Sequence, residues 1–277
     1  MPAVLPRDTA HRSPAWRACV QVSPNFPEPN LATYRHARFL DDASTNHNRE
    51  MTKADIQEAL VALYLRLNGY FTTGFVVQSS APGRVTTELD VLAVRLPHNA
   101  EPDRVIASAA ELDPWNRGVD FIVGEVKSHG ESLQFNPAVR NLPAVSTILQ
   151  WWGHLTAEEV SRVSADVLAI LNPLPGAPAA PTVLCPRDAR VRAILFSPET
   201  RNHRRPDQAW FIPGPPIFKY IFDCLHPREP RETCATNYGA GQWGVGLAPL
   251  VAYFKDPART VPGDLRDLVA HIETKVG

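Results

Sequence analysis

Acidic residues interrupt two short apolar runs of this chain, residues 87–94 and residues 120–127. The first run, Thr-Glu-Leu-Asp-Val-Leu-Ala-Val, contains Asp90, and the second, Asp-Phe-Ile-Val-Gly-Glu-Val-Lys, contains Glu125 and Lys127. Both runs are rich in aliphatic and β-branched residues, and both are too short for an ordinary helix. Each is therefore predicted to be a β-strand that crosses a core.

Side-chain alternation predicts which of these groups share a face of the sheet. Successive side chains of a strand point to opposite faces, so Glu125 and Lys127 are expected on one face and Val126 on the other. In the first run, alternation predicts two acids on one face and two apolar residues on the other: Glu88 and Asp90 against Leu89 and Val91.

Two carboxylates held close together at the end of a buried sheet need a cation. At a separation of about 4 Å, like charges repel by roughly 4 kcal/mol at an effective dielectric constant of 20. If Asp90 and Glu125 meet, a hard divalent ion such as Mg²⁺ is the natural partner, because one or two carboxylates commonly hold it together with water and phosphate. Lys127 would then provide a point charge for a phosphate or for the attacking water.

A helix is predicted before these strands, from Thr52 to Asn68. Its apolar residues recur at helical spacing, and Thr52 with Asp55 resembles a capping box. Glu58 lies among apolar neighbours and is expected to be enclosed, which would require a cation or a hydrogen-bond partner. The alternative is a partly solvated acid that is stabilised by the helix dipole.

The remaining elements of the first 200 residues follow from the same periodicities. We predict strands at 70–78, 85–95, 120–127 and 191–196, a turn at 79–84, a loop at 128–141, and helices at 145–152 and 156–171. The order is helix, three strands, helical region, strand.

This order, with its acids, resembles the PD-(D/E)XK nuclease superfamily, whose restriction-endonuclease-like core is an αβββαβ unit. In that family the second strand carries an Asp, matched by Asp90, and the first helix often carries a Glu, matched by Glu58. The third strand carries an acid-x-Lys motif, matched here by residues 125–127. The resemblance covers roughly residues 52–197, and it departs from the motif at Leu89, where the family name has proline.

The resemblance implies an α/β (α+β) fold with a mixed central sheet flanked by helices, and metal-dependent hydrolysis of phosphodiester bonds. Asp90 and Glu125 would bind Mg²⁺ or Mn²⁺ together with the backbone carbonyl of Val126, and Glu58 would add a ligand or orient a metal-bound water. Lys127 would position or deprotonate the nucleophile. DNA is expected more than RNA as the substrate, in bacterial defence, repair or mobile elements.

Two alternatives stay open. The four groups at positions 88, 90, 125 and 127 could be ion pairs at a sheet edge, with Lys127 neutralising one acid. The protein could also be a catalytically inactive, nucleic-acid-binding or scaffold subunit of a larger complex that has kept the nuclease fold.

Further residues are candidates for binding nucleic acid. His129 follows the motif and could contact phosphate, although a histidine in a loop is more often merely exposed. Gln150 could face the metal site, although simple helix packing explains it equally well. A basic cluster suits phosphates and unstacked bases, and a solvated loop is its alternative: Arg201, His203, Arg204 and Arg205.

Composition and chain organisation complete the expectations. The 277 residues have a formal net charge of −1, which favours no particular partner. Residues 1–50 are predicted to be an irregular, proline-containing extension, residues 51–198 the nuclease-like core, and residues 199–277 a C-terminal elaboration of helices and loops. Helices are predicted at 215–225, 247–254 and 264–275, with a glycine-rich turn at 237–244.

The expected location is the cytoplasm. The chain has no apolar run long enough for a membrane span and no signal-peptide pattern, and its four scattered cysteines favour reduced thiols. Cys224, His226 and Cys234 could in principle contribute to a zinc site, but no CxxC pair supports it. A homodimer is possible in principle, because cutting both strands of a duplex commonly takes two active sites.

Overall fold

The computed structural model describes residues 51–81, 84–100, 106–113, 115–128, 133–173, 182–200, 210–226 and 239–276. These residues all belong to one compact unit, Glu50–Gly277. The extension expected over residues 1–50 lies outside them.

Six helices and six strands make up the described part of this unit. The helices are α1 (Lys53–Leu67), α2 (Leu142–Trp152), α3 (Ala157–Leu171), α4 (Gly214–Leu225), α5 (Ala248–Lys255) and α6 (Leu265–Val276). The strands are β1 (Phe71–Ala81), β2 (Arg84–Arg95), β3 (Val119–Val126), β4 (Thr182–Cys185), β5 (Ala189–Ser197) and β6 (Trp210–Pro213). None of the helices in the described residues is both long and apolar enough to cross a membrane.

The strands form one mixed sheet. Their order is β1-β2-β3-β5-β4, and β6 pairs with β5 off this path. Strand β2 runs antiparallel to β1 and β3, and β4 runs antiparallel to β5, whereas β3 and β6 run parallel to β5. The protein is therefore an α/β protein with a mixed six-stranded sheet.

Helices cover both faces of the sheet, which gives the described unit three layers. One apolar core joins the sheet to α1, α4, α5 and α6, and the other joins it to α2 and α3. Strand β5 is buried along its whole length. A strand covered on both faces reads as a continuous apolar run, which explains why it was recognisable from sequence.

Local capping explains where the helices begin. Thr52 and Asp55 form a capping box at the start of α1, as predicted, and Thr156 and Glu159 form a second one at α3. Helix α2 starts one turn earlier than predicted, because the Asn141 side chain accepts the Ala144 N–H.

Most of the predicted elements are present, and the differences concern short segments. The turn predicted at 79–84 is wrong in its extent, because β1 continues to Ala81 and β2 begins at Arg84. Strands β4 and β6 have only four residues each and were not predicted. The segment expected as a turn contains a 3₁₀ helix, Ala240–Trp243.

A buried ion network joins the strands near the start of β3. Asp120 is fully buried and accepts hydrogen bonds from the guanidinium groups of Arg190 and Arg192, at 2.6–3.1 Å. The Tyr70 hydroxyl donates to the same carboxylate at 2.6 Å. Because Asp120 pairs with Arg190 in the parallel β3–β5 register, these charges lie side by side in the sheet.

Replacing Asp120 with alanine is expected to destabilise the protein by about 3–5 kcal/mol, because it leaves buried arginines without their carboxylate. Urea unfolding followed by circular dichroism measures the change. The control is Lys219→Ala on α4, which removes one partner of an exposed ion pair and is expected to cost less than about 1 kcal/mol. A loss for Asp120→Ala as small as that of the control would contradict the structural role of the network.

Candidate functional site

A β-bulge re-aims the acid of β2. Between the flanking pairs of the β1–β2 ladder, β1 contributes only Gly74 whereas β2 contributes Asp90 and Val91. The bulge breaks the alternation of the strand. Leu89 packs in the core with α2 and α3, and Val91 packs in the core with α1. The prediction that Leu89 and Val91 share one face is therefore wrong.

The carboxylate of Asp90 binds the main chain of β3. Its Oδ2 accepts the Val126 N–H at 2.8 Å. The last pair of the β2–β3 ladder is Val91–Gly124, so no backbone pair joins Asp90 to β3. The side chain of Asp90 instead takes the acceptor role that a backbone carbonyl would otherwise have. This contact brings Asp90 beside the residue that separates Glu125 from Lys127.

Gly124 allows β2, β3 and β5 to approach closely next to the site. A Cβ at this position would lie 3.0 Å from Phe196 Cε2 and 3.2 Å from Val91 Cβ. These distances are tighter than ordinary van der Waals contact, so a side chain here would push on both neighbouring strands.

Glu125 is the buried acid of the site. It is 2 % exposed, and its two carboxylate oxygens accept the Asn136 N–H at 2.7 and 2.9 Å. Lys127 Nζ lies 2.6 Å from Glu125 Oε2, which agrees with the predicted common face of these two side chains. Burial raises the pKa of Glu125, the hydrogen bonds from Lys127 and Asn136 oppose this rise, and the charge of Asp90 adds to it.

Glu58 lies on α1 and lines a groove between this helix and strands β1 and β2. The residue is exposed, so the prediction that apolar neighbours enclose it is wrong. Its carboxyl nevertheless loses hydration in the groove, and this loss, together with the nearby charges of Asp90, Glu88 and Asp55, raises its pKa to about 7. Glu58 therefore carries a proton for part of the time at neutral pH.

A groove of about 430 Å³ contains both Glu58 and Asp90. Its walls are α1, strands β1 and β2, and residues 243–247. A larger cavity of about 840 Å³ lies where α4 and α6 begin and is lined in part by Lys53 and Glu199. Two of the four predicted residues line this acid groove, Glu58 and Asp90, whereas none of the four lines the larger cavity. The acid groove is therefore the better candidate for the chemistry predicted from the sequence.

The oxygen donors of the site are of the type that a hard divalent cation prefers. Within the described residues, no group of three or more His, Cys, Asp and Glu side chains is arranged to hold a metal ion. Mg²⁺, however, usually takes one or two carboxylates and completes its shell with water and phosphate. Asp90 and Glu125 could supply those two carboxylates once Lys127 withdraws from Glu125.

Of the other predicted binding residues, the structure describes Gln150, Cys224 and His226. Gln150 is exposed near the end of α2. Of the weighed zinc ligands, Cys224 is buried, and the His226 ring stacks on Phe222 with centroids 4.4 Å apart. Several candidates lie outside the described residues: His129, Arg201, His203, Arg204, Arg205 and Cys234.

Some contacts of the site were missed from the sequence. Asn136 binds Glu125 through its backbone N–H, and a main-chain contact leaves no signal in residue type. Gln57 donates from Nε2 to Ser128 Oγ at 3.0 Å. Its spacing from the buried Leu60, Val61 and Tyr64 on the apolar side of α1 would have indicated its burial.

No protein-family model matches this chain, and neither the curated proteins nor the solved structures contain a significant match. The functional interpretation consequently depends on the geometry of the site itself.

Removing the ionisable group at position 58 is expected to change how stability depends on pH. The Glu58 carboxyl has a pKa of about 7 in the folded protein and near 4.5 in the unfolded chain, so the folded protein binds its proton more tightly. The stability of the wild-type protein therefore falls as the pH rises from about 4.5 to about 7. Glu58→Gln should therefore be more stable than wild type at about pH 8, by roughly 0.5–1 kcal/mol after allowance for solvent screening. The two proteins should be equally stable below the unfolded pKa.

Urea unfolding at the two ends of this pH range, with divalent ions chelated, measures the difference. Glu273→Gln, which removes an exposed carboxyl from α6, is the matched control. A difference between Glu58→Gln and wild type that stays constant with pH would contradict the raised pKa.

Proposed function

We propose that this protein is a metal-dependent nuclease that hydrolyses phosphodiester bonds, with DNA as the expected substrate. The observation that carries the proposal is the contact of the Asp90 carboxylate with the Val126 N–H, at 2.8 Å. It connects the acid of β2 to the centre of the acid-x-Lys motif of β3, where Lys127 lies 2.6 Å from Glu125.

Electrostatics support a cation at this place. The charge of Asp90 raises the pKa values of both Glu125 and Glu58, so Asp90 is electrostatically coupled to each of these acids. Lys127 is the ion-pair partner of Glu125. An acid that lies near two other acids favours the binding of a further positive charge, because each like-charge pair costs free energy that a cation removes.

The arrangement of elements also supports the resemblance to the restriction-endonuclease-like core. The chain runs through α1, then β1 to β3, then α2, and returns to the sheet through β5, parallel to β3. Helix α3 and the short strand β4 lie between α2 and β5 as additions to the αβββαβ order. Helices α4 to α6 form the C-terminal elaboration.

Asp90 and Glu125 would hold the ion, with the Val126 carbonyl as a further ligand and Glu58 as an additional or water-mediated one. Mg²⁺ or Mn²⁺, when bound, supplies a water of lowered pKa and positive charge next to the phosphate. These assignments extend the resemblance to the residues that the structure brings to one end of β3.

Lys127 and Glu58 provide the remaining chemistry in this proposal. Lys127, released from Glu125, presents its ammonium to a phosphate oxygen and stabilises the charge that develops there. Glu58, which lines the groove together with Asp90, would orient a metal-bound water. The basic cluster at 201–205 is proposed to bind the nucleic-acid backbone, and a homodimer would cut both strands.

One observation favours a second candidate, an inactive nuclease-fold subunit that binds nucleic acid or serves as a scaffold in a larger complex. Both oxygens of Glu125 already accept the Asn136 N–H, and Lys127 neutralises the charge. A closed ion pair of this kind stabilises a strand end without any metal. The two candidates differ in whether the site hydrolyses a substrate.

The purified protein is expected to cleave DNA in the presence of Mg²⁺ or Mn²⁺ and to lose this activity when the ion is chelated. Asp90→Asn, Glu125→Gln and Lys127→Met should each lower the rate by at least about 100-fold, because each removes a charge that acts on the reacting phosphate. Gel assays on linear, supercoiled and single-stranded DNA and on RNA measure the rates and identify the substrate form.

Lys219→Met, far along α4 from the acid groove, is the matched charge control and should retain full activity. Thermal unfolding of every variant separates lost chemistry from lost folding. Cleavage that survives in all three site variants would reject the proposed function. Tight binding of DNA without cleavage, under all metal conditions, would instead support the second candidate.

A further inference from the structure

Lys127 and Ser128 lie beyond the regular ladders of β3. The β2–β3 ladder ends at Gly124, and the last pair of the β3–β5 ladder is Val126–Phe196. The residue that carries the ammonium group is therefore placed by contacts outside the sheet pairing. Those contacts decide whether Lys127 stays aligned with Glu125.

The backbone of Lys127 is fixed from the side of β5. Its N–H donates to the Phe196 carbonyl at 2.7 Å, and its carbonyl accepts the Ser197 hydroxyl at 2.7 Å. Ser197 is fully buried, and its hydroxyl lies 2.7 Å from the Thr200 hydroxyl. These bonds hold one side of the strand end, and the side facing α1 needs a separate contact.

Gln57 provides that contact from α1. Its side chain is buried, with the residue only 2 % exposed, and its Nε2 donates to Ser128 Oγ at 3.0 Å. Gln57 precedes Glu58, so one turn of α1 carries both an acid of the groove and the amide that binds the residue after Lys127. Gln57 and Ser128 are 71 residues apart in sequence. Their hydrogen bond restricts the movement of the end of β3 relative to α1.

Folding stability alone does not account for an amide at this position. Gln57 Oε1 is buried, and no donor among the described residues reaches it. A buried acceptor without a partner is unfavourable, and an apolar side chain of the same volume would avoid that cost. The amide therefore leaves a buried acceptor unpaired, which is common for groups that serve a site.

We infer that Gln57 is a positioning residue of the candidate site, which acts through Ser128 to hold Lys127 in line with Glu125. The effect on catalysis that follows from this inference rests on the proposed function. The positioning of Lys127 is a property of the folded protein and can be measured without a substrate. Gln57 does not touch the reacting atoms in this scheme. It limits the positions that the Lys127 ammonium can take.

The first test measures positioning without any substrate. An amine-reactive acylating reagent is applied to the full chain, and mass spectrometry gives the rate of modification of each lysine. Gln57→Met and Ser128→Ala are each expected to raise the rate at Lys127 by about 3-fold or more, because a looser strand end opens more often. Lys219, exposed on α4, is the internal reference and should keep its rate.

Two further variants make this test specific. Ser128→Thr keeps the hydroxyl and should restore the low rate at Lys127. Lys53→Met removes a different contact of α1, the ion pair with Glu199 at 2.5 Å, and should leave Lys127 unchanged. Gln57→Met conserves volume and removes a buried unpaired acceptor, so it is expected to fold, and thermal unfolding verifies this.

The second test uses cleavage kinetics. Gln57→Met and Ser128→Ala should each lower kcat by about 10-fold to 100-fold, as expected when a reacting group is misplaced by a fraction of an ångström to 1 Å, while KM changes little. The double variant should lose no more than the more affected single variant, because both residues act through one contact.

The outcomes separate the two proposals. If the wild-type protein cleaves nothing but Lys127 becomes more reactive in both variants, the positioning role stands and the proposed nuclease function fails. If the rate at Lys127 is unchanged in both folded variants, the positioning inference is overturned, whether or not the protein cleaves DNA. Additive losses of kcat in the double variant would also overturn it.

Discussion

The site depends on one hydrogen bond in which a side chain replaces a backbone acceptor. The Asp90 carboxylate accepts the Val126 N–H at the point where the β2–β3 ladder ends. This bond satisfies a backbone donor that would otherwise lose its partner. It also holds the side chain of Asp90 against the strand that carries Glu125 and Lys127. The bulge opposite Gly74 makes the contact possible, because it redirects β2 by one residue just before the ladder ends.

The surroundings of the buried carboxylates differ between the two ends of β3. Near its start, Asp120 accepts hydrogen bonds from two arginines and a tyrosine, so its charge is balanced within the protein. About 16 Å further along the strand, Glu125 has Lys127 as its ion-pair partner, while Asp90 and Glu58 add negative charge nearby. The first arrangement stabilises the fold, and in the second the charge of Asp90 raises the pKa values of both Glu125 and Glu58.

Features that depend on residues close together in the sequence could be predicted. Features that depend on pairing between residues far apart in the sequence could not. The capping box of α1 and the apolar runs of β2, β3 and β5 lie within short windows, so they were predictable. The bulge at Asp90 was not, since it exists only relative to Gly74 on another strand. Likewise, the partners of Asp120 lie about 70 residues away, and Asn136 contributes only a backbone N–H. Glu58 was expected to be enclosed because its neighbours are apolar, but the helix turns it toward the groove.

The empty side-chain position at Gly124 has a consequence for the packing beside Asp90. A Cβ there would press on Val91 and Phe196 at once, and Val91 is the residue next to Asp90. A larger residue would therefore require these neighbours to move by a few tenths of an ångström. The surroundings of the acid thus depend on a residue that carries no functional group.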